Sequence, residues 1–344
     1  MGIRSWALIA WMGLTLAGCG SSPDAPPSPN DSTSQSLTGT GADSSASSGL
    51  TGNSTASAAP TLPPLNREAV PNPFLRYIGR NDVRSGLFNP LALATDRDHV
   101  LVADGDRQGP QGACGAVLEF DGLASDASAP LGFPYSDLTE SPSVKRLSPH
   151  PKALAASSRY VFVSDDTGLY GYMRDSRFVL NFGRPLANPC DGLALAGTNL
   201  WVAQGGQVFP VPVQTLIPDP ATVSFALAAR SLTANASGSV YAATATGVVR
   251  VQASQITLSF GGQGTDGRGP GFEAPVAAAG DPRNGDVYVL DRHAVVRFDA
   301  YGRFLTRFGA GLVQEGASLA IGAQGEVFVA DRGSRQVLQF EPGH

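Results

Sequence analysis

The feature that most constrains this chain is a five-residue strand that returns six times. The copies are VLVAD (Val100–Asp104), VFVSD (Val161–Asp165), LWVAQ (Leu200–Gln204), VYAAT (Val240–Thr244), VYVLD (Val287–Asp291) and VFVAD (Val327–Asp331). Each is apolar up to its last residue, the pattern of a strand covered on both faces. The copies advance by about 40 residues, with longer steps after the first and the fourth. Such repeats cannot bury their apolar faces alone and must stack on one another.

The unit is clearest between Val276 and Gly309. A small-residue strand (Val276–Ala279) precedes Val287–Asp291, then Val295–Phe298 and Phe304–Phe308 follow across short turns. The other strands recur in phase. First strands are Leu91–Thr95, Ala153–Ser157, Leu193–Ala196, Leu232–Asn235 and Leu319–Gly322, rich in small residues that suit a crowded centre. Third strands are Ala116–Phe120, Leu169–Met173, Gln207–Val211, Val248–Val251 and Val337–Phe340. Fourth strands are Phe178–Phe182, Thr222–Phe225 and Ile256–Phe260, with Val144–Leu147 assigned to the first repeat after an insertion between Gly122 and Ser143. The expected fold is therefore all-β: a six-bladed β-propeller of four-stranded antiparallel blades. The last repeat ends at His344 without a fourth strand, and FLRYIG (Phe74–Gly79) aligns with FLTRFG (Phe304–Gly309). The N-terminal strand is thus expected to complete the last blade, because an open ring would leave two exposed edges.

Between Phe74 and Phe340 the chain resembles the NHL-repeat family of six-bladed propellers. The likeness is strongest in FGGQGTDGRGPGFEAP, VYVLD, VVRFD, FLTRFG and VFVAD, and weakest in the third and fourth repeats, where Gln204 and Thr244 replace the aspartate. It implies the fold, while the functions of that family are diverse.

Ahead of the repeats lie two further regions. Residues 1–18 read as an export signal: Arg4 supplies the positive start, and Trp6–Leu16 is apolar but short for a membrane span. Leu16-Ala17-Gly18-Cys19 resembles the lipobox of bacterial lipoproteins, which implies cleavage before Cys19 and its acylation. The plainer alternative is an ordinary signal peptide with a chance cysteine. Gly20, rather than Asp, follows the cysteine, which by the same resemblance favours the outer membrane. Residues 19–70 are dominated by Ser, Thr, Gly, Ala and Pro and cannot bury enough apolar area to offset chain entropy. They read as a disordered tether, or as a glycosylated or partner-binding stalk, and 71–344 as the propeller. The chain is thus expected in the cell envelope, held to a membrane by its lipid. A net charge of −5 argues against nucleic acid as a partner.

No assembled catalytic constellation stands out. Gly262–Gly267 fits G-x-G-x-x-G, but Gly269-Pro270-Gly271 rules out the helix that nucleotide binding requires. Asp104, Asp165, Asp291 and Asp331 end their strands. They either cap the following turns or ring the central channel, where Ca²⁺ or another divalent cation would sit. His150 and His293 share an end of the ring but belong to different blades, and no H-x-H or H-E-x-x-H pairs them. Cys114 and Cys190 fall in loops on one end, one blade apart. They form either a disulfide or two separate thiols.

Two functions remain. The first is a binding or scaffold module for a protein or glycan. The second is a lactonase-like or amidating-lyase-like enzyme with a metal at the channel mouth. Lacking a catalytic set, the first is favoured. Its expected face is the end with the long loops: Asp104, Asp106 and Arg107 in the first repeat, Asp165 and Asp166 in the second, Asp191, Asp266, Arg268 and Arg332. Their mixed sign predicts a polar partner rather than a strongly charged polymer.

Overall fold

The computed structural model describes residues 70–79, 86–109, 112–122, 147–175, 189–217, 219, 223–235 and 237–343. Their strands form six antiparallel sheets, the blades of a propeller. Strand β1 (Phe74–Ile78) comes first. Blade 1 contains β2 (Pro90–Asp96), β3 (His99–Gly109) and β4 (Gly112–Asp121). Blade 2 contains β5 (Ala153–Ala156), β6 (Tyr160–Asp165) and β7 (Gly168–Met173), and blade 3 contains β8 (Gly192–Ala196), β9 (Asn199–Gln204) and β10 (Gln207–Pro212). Blade 4 has β11 (Ser231–Ala234), β12 (Val240–Ala243), β13 (Val248–Gln252) and β14 (Gln255–Phe260). Blade 5 has β15 (Pro275–Gly280), β16 (Val287–Asp291), β17 (Ala294–Phe298) and β18 (Phe304–Phe308). Blade 6 has β19 (Gly316–Ile321), β20 (Val327–Asp331) and β21 (Gln336–Phe340).

The ring closes as the repeat arithmetic requires. Strand β1 pairs antiparallel with β21, Phe74 opposite Phe340 and Ile78 opposite Val337, so blade 6 is completed from the other end of the domain. Arg76 ties this seam to Gln339 and to the Gly122 carbonyl, each at 2.7 Å. The first strands touch in cyclic order, β2, β5, β8, β11, β15, β19 and back to β2. Six apolar clusters fill the six gaps between neighbouring blades. That explains the uninterrupted apolar strands: Val287–Leu290 is sandwiched between blades, with every side chain fully buried.

Several local expectations change. The segment after Asp104 is not a long loop. Strands β3 and β4 continue past a bulge between Asp104 and Arg107 and pair Arg107 with Cys114 and Gly109 with Gly112. Of the expected strand Thr222–Phe225, Thr222 lies outside the described residues and Val223–Phe225 form no strand; Phe225 makes a single bridge to Val208. Pro210 and Pro212 in β10 leave that edge short of N–H donors, so a continuous ladder cannot form there. Leu147 makes one bridge to Gly115, while Val144–Arg146 and Phe178–Phe182 lie outside the described residues, as do residues 1–69. Two side chains of β1 do not enter the core. Leu75 falls where the β1–β21 ladder skips a residue and is 45% exposed, and Tyr77 is 40% exposed.

Candidate functional site

The four repeat aspartates are fully buried, but they do not face the channel. Each accepts hydrogen bonds from backbone N–H groups of the loop that enters its own blade. Asp104 receives Phe88 (3.0 Å) and Asn89 (2.7 Å), and Asp165 receives Ser148 (2.7 Å). Asp291 receives Glu273 (2.9 Å) and Ala274 (2.7 Å), and Asp331 receives Glu315 (2.5 Å). Asp165 and Asp331 also cap the turn ahead, through the amides of Thr167 and Ser334. The aspartate is therefore chiefly a staple between the incoming loop and the second strand, a wider role than a local turn cap. In blades 3 and 4 other groups stand in this position. Gln204 donates to the Pro189 carbonyl at 3.4 Å, and the Thr244 hydroxyl pairs with Gly247.

Arg107 is also internal. Its Nη1 meets Asp104 at 2.7 Å and the Gly86 carbonyl at 2.9 Å, and the guanidinium lies over the Phe88 ring. Burial pushes the Asp104 carboxyl above its ordinary value, against the opposing pull of Arg107 and the Asn89 amide. Asp104, Arg107 and Asp165 thus leave the candidate binding face. Cys114 and Cys190 are both buried, and no disulfide joins them. The Cys114 thiol sits 3.6 Å from the Arg107 carbonyl within its own hairpin. Cys190 packs in the cluster between blades 2 and 3, where burial pushes its thiol up to about 11.

Asp266 and Arg268 lie elsewhere as well. Thr265 donates its N–H to the Gly302 carbonyl at 2.7 Å, and the Phe304 amide meets Asp266 at 3.3 Å. The glycine-rich loop therefore crosses the β17–β18 turn of blade 5, on the flank of the ring. The outermost strand β14 delivers the loop there: its last residue, Phe260, packs on Phe298 of blade 5. Sheet twist swings an outer strand away from the direction of the inner one.

What remains at the loop-rich end is a funnel of about 950 Å³ with walls from all six blades. Its rim carries His150, whose Nδ1 lies 3.2 Å from Asp166 and whose Nε2 lies 3.7 Å from Asp106, bridging the hairpins of blades 1 and 2. Lys152 holds Asp166 at 3.1 Å and, as the largest effect, lowers the pKa of that carboxyl. Asp191 and Arg332 line the funnel, as expected, together with Arg230, Arg292 and Glu315. Sequence reasoning missed Lys152, Arg230 and Arg292. The signal was available: Lys152, Asp191 and Arg230 each immediately precede a first strand. Each donates its backbone N–H to the carbonyl of the residue just before the aspartate position, Ser164, Ala203 and Ala243.

Below the funnel the axis narrows, past Lys152, Asp191 and Arg230 at the throat, to aliphatic and small side chains. A throat of about 40 Å³ and a channel space of about 70 Å³ are walled mainly by Leu93, Leu154, Leu193 and Leu232 with small residues around them. The channel's threonines are spent on backbone carbonyls, Thr95 on Ile321 and Thr233 on Ala278. Among the described residues no group of three or more His, Cys, Asp or Glu is placed to hold a metal ion. The funnel floor sets Lys152 and Arg230 near the axis, which does not fit a divalent cation at the channel mouth.

No protein-family profile matches the chain, and no curated protein matches it in sequence. Solved structures of similar fold include a streptogramin B lyase, with 10% identity, a TM-score of 0.49, 78% of this chain and 98% of that one covered. Another is an auxiliary nutrient-binding protein from Bacteroides thetaiotaomicron VPI-5482, with 13% identity and a TM-score of 0.50 over 80% of this chain and 75% of that one. At 13% identity the likeness to the nutrient-binding protein is one of fold.

Proposed function

We propose that this protein is a binding module of the cell envelope. A lipid on Cys19 holds it to the membrane, residues 19–70 tether it, and the propeller, similar to NHL-repeat domains, presents its funnel to a ligand. The observation that carries this reading is the funnel itself. Its volume is in the range of small-molecule sites, about 300–1,000 Å³. Its wall is held by rigid strands, and its floor carries Lys152, Asp191 and Arg230 over leucine and alanine. A shaped, mixed-charge hollow on a rigid ring suits recognition of a polar-headed molecule, or of the end of a protein or glycan chain. Catalysis would need an acid, base or nucleophile held against a reacting atom. The funnel residues form no such set among the described residues; its charged groups pair with one another or stand apart.

The experiment is ligand-observed NMR of the protein against a mixed library of amino acids, short peptides and oligosaccharides, repeated with Leu91→Trp, which fills the funnel wall. A hit lost in that variant supports the reading. A library without a funnel-dependent hit, or hits unaffected by the tryptophan, would refute it.

A further inference from the structure

One structural position, repeated in every blade, gives the funnel a charged arc and an apolar strip. The residue just before each inner-strand pairing is Leu91, Lys152, Asp191, Arg230, Val276 and Ala317 in blades 1 to 6, and all six line the funnel. In blades 1, 5 and 6 the strand ladder skips this residue, between Pro90 and Ala92, Pro275 and Ala277, and Gly316 and Ser318. Those three blades are neighbours in the ring and place Leu91, Val276 and Ala317 side by side as an apolar strip, on a side of the funnel that Arg292, Glu315 and Arg332 also line. Blades 2, 3 and 4 carry no such bulge, and the same position there reads Lys152, Asp191, Arg230. The opposite wall is thus an arc of alternating charge.

Two members of that arc are available. Lys152 is held by Asp166. Among the described residues no ion pair forms at Asp191 or at Arg230, whose Nη1 reaches only the Pro275 carbonyl at 3.4 Å. Both are exposed to the funnel and both line the throat below it. Beside them the Ser231 hydroxyl is shielded from solvent and lacks a hydrogen-bond partner, an unmet donor and acceptor at the throat. A separated anion and cation on neighbouring blades, facing the apolar strip of Leu91, Val276 and Ala317, match a ligand that carries both charges at one end and an alkyl or aryl group at the other.

We infer that the funnel recognises a small amphipathic zwitterion of the α-amino-acid type. Its ammonium meets Asp191, its carboxylate meets Arg230 with the Ser231 hydroxyl close by, and its apolar side chain lies against Leu91, Val276 and Ala317. This rests on the funnel being the binding site.

The test is calorimetric titration of the full chain with L-leucine, glycine, N-acetyl-L-leucine, L-leucinamide and the doubly blocked N-acetyl-L-leucinamide. L-Leucine is expected to bind saturably. Removing either charge, or the side chain, should weaken binding by about 10-fold or more, the scale of one charge-assisted hydrogen bond or one buried aliphatic group. Asp191→Asn should remove the preference for a free ammonium, and Arg230→Gln the preference for a free carboxylate. Both residues are exposed, so the variants should unfold at the wild-type temperature, and the ligand series on the wild type stands without them. Equal binding of L-leucine and its blocked forms, or binding of a neutral disaccharide that Leu91→Trp abolishes, would overturn the zwitterion while keeping the funnel as the site. No binding by any of these probes would overturn the inference and count against the funnel as well.

Discussion

Closure of the ring by β1 makes a sharp prediction about two residues three positions apart. Ile78 has no exposed surface. It packs between blades 6 and 1 among Leu87, Leu118, Phe120 and Val337. Replacing it with alanine leaves a void that the flanking β-strands cannot collapse, and such substitutions cost about 2–5 kcal/mol. Against a typical total of roughly 5–15 kcal/mol, that is a large share. Leu75 sits at the skipped ladder position with nearly half its surface in water, so Leu75→Ala should cost under about 1 kcal/mol. Removing everything through Gly79 should cost more than Ile78→Ala. It also loses the bond from the Asn72 amide to the Glu341 carbonyl at 2.9 Å and bares the edge of β21. Removing only residues 21–60 should cost nothing, since that stretch has little apolar area to bury. Urea titration followed by Trp201 fluorescence measures this, in chains lacking residues 1–18 and hence Trp6 and Trp11. Trp201 is buried in blade 3, far from the seam, and so reports global unfolding. Equal losses for Leu75→Ala and Ile78→Ala, or an unchanged midpoint for the chain truncated through Gly79, would refute closure by this strand.

Other expectations follow from the site. A disulfide reagent at pH 8 should find no fast thiol in the native propeller lacking residues 1–64, because Cys114 and Cys190 are buried and burial holds the Cys190 thiol near 11; unfolding without reductant should release two, and release of none would mean a bridge. Arg107→Ala should destabilise by roughly 3–5 kcal/mol, since it strands the buried Asp104 carboxylate, whereas Arg268→Ala on the flank should change neither stability nor ligand binding; the reverse order, by thermal unfolding and calorimetry, would return Arg107 to the binding face. Mass spectrometry of the mature N-terminal peptide should show an acylated Cys19, and an unmodified cysteine or retained residues 1–18 would remove the lipid anchor.

The blade count, the period and the closing strand were legible in the chain because each depends on local pattern. Six apolar pentapeptides at a near-constant step admit few folds, and FLRYIG matches FLTRFG position by position. The end of the ring that holds the funnel was legible for the same reason, since strand alternation puts every second turn on one side. The membership of the site was legible only in part: Asp191 and Arg332 were named, and Lys152, Arg230 and Arg292 were not. Asp104, Arg107 and Asp165 look like surface charges in a loop. Only the return of the incoming loop over the second strand shows that they are buried staples. Asp266 and Arg268 are assigned to the flank by the path of the outer strand, a consequence of sheet twist that residue spacing does not report. Lys152 and Arg230 are unremarkable in sequence, each about 40 residues from Asp191. With Asp191 they become one arc because the ring brings equivalent positions of successive blades around a common axis, and at the bulged position of blades 1, 5 and 6 stand Leu91, Val276 and Ala317 instead. Sequence pattern therefore determined the ring, and tertiary structure alone decided what faces its centre, because a propeller site is built from contacts between repeats rather than within them.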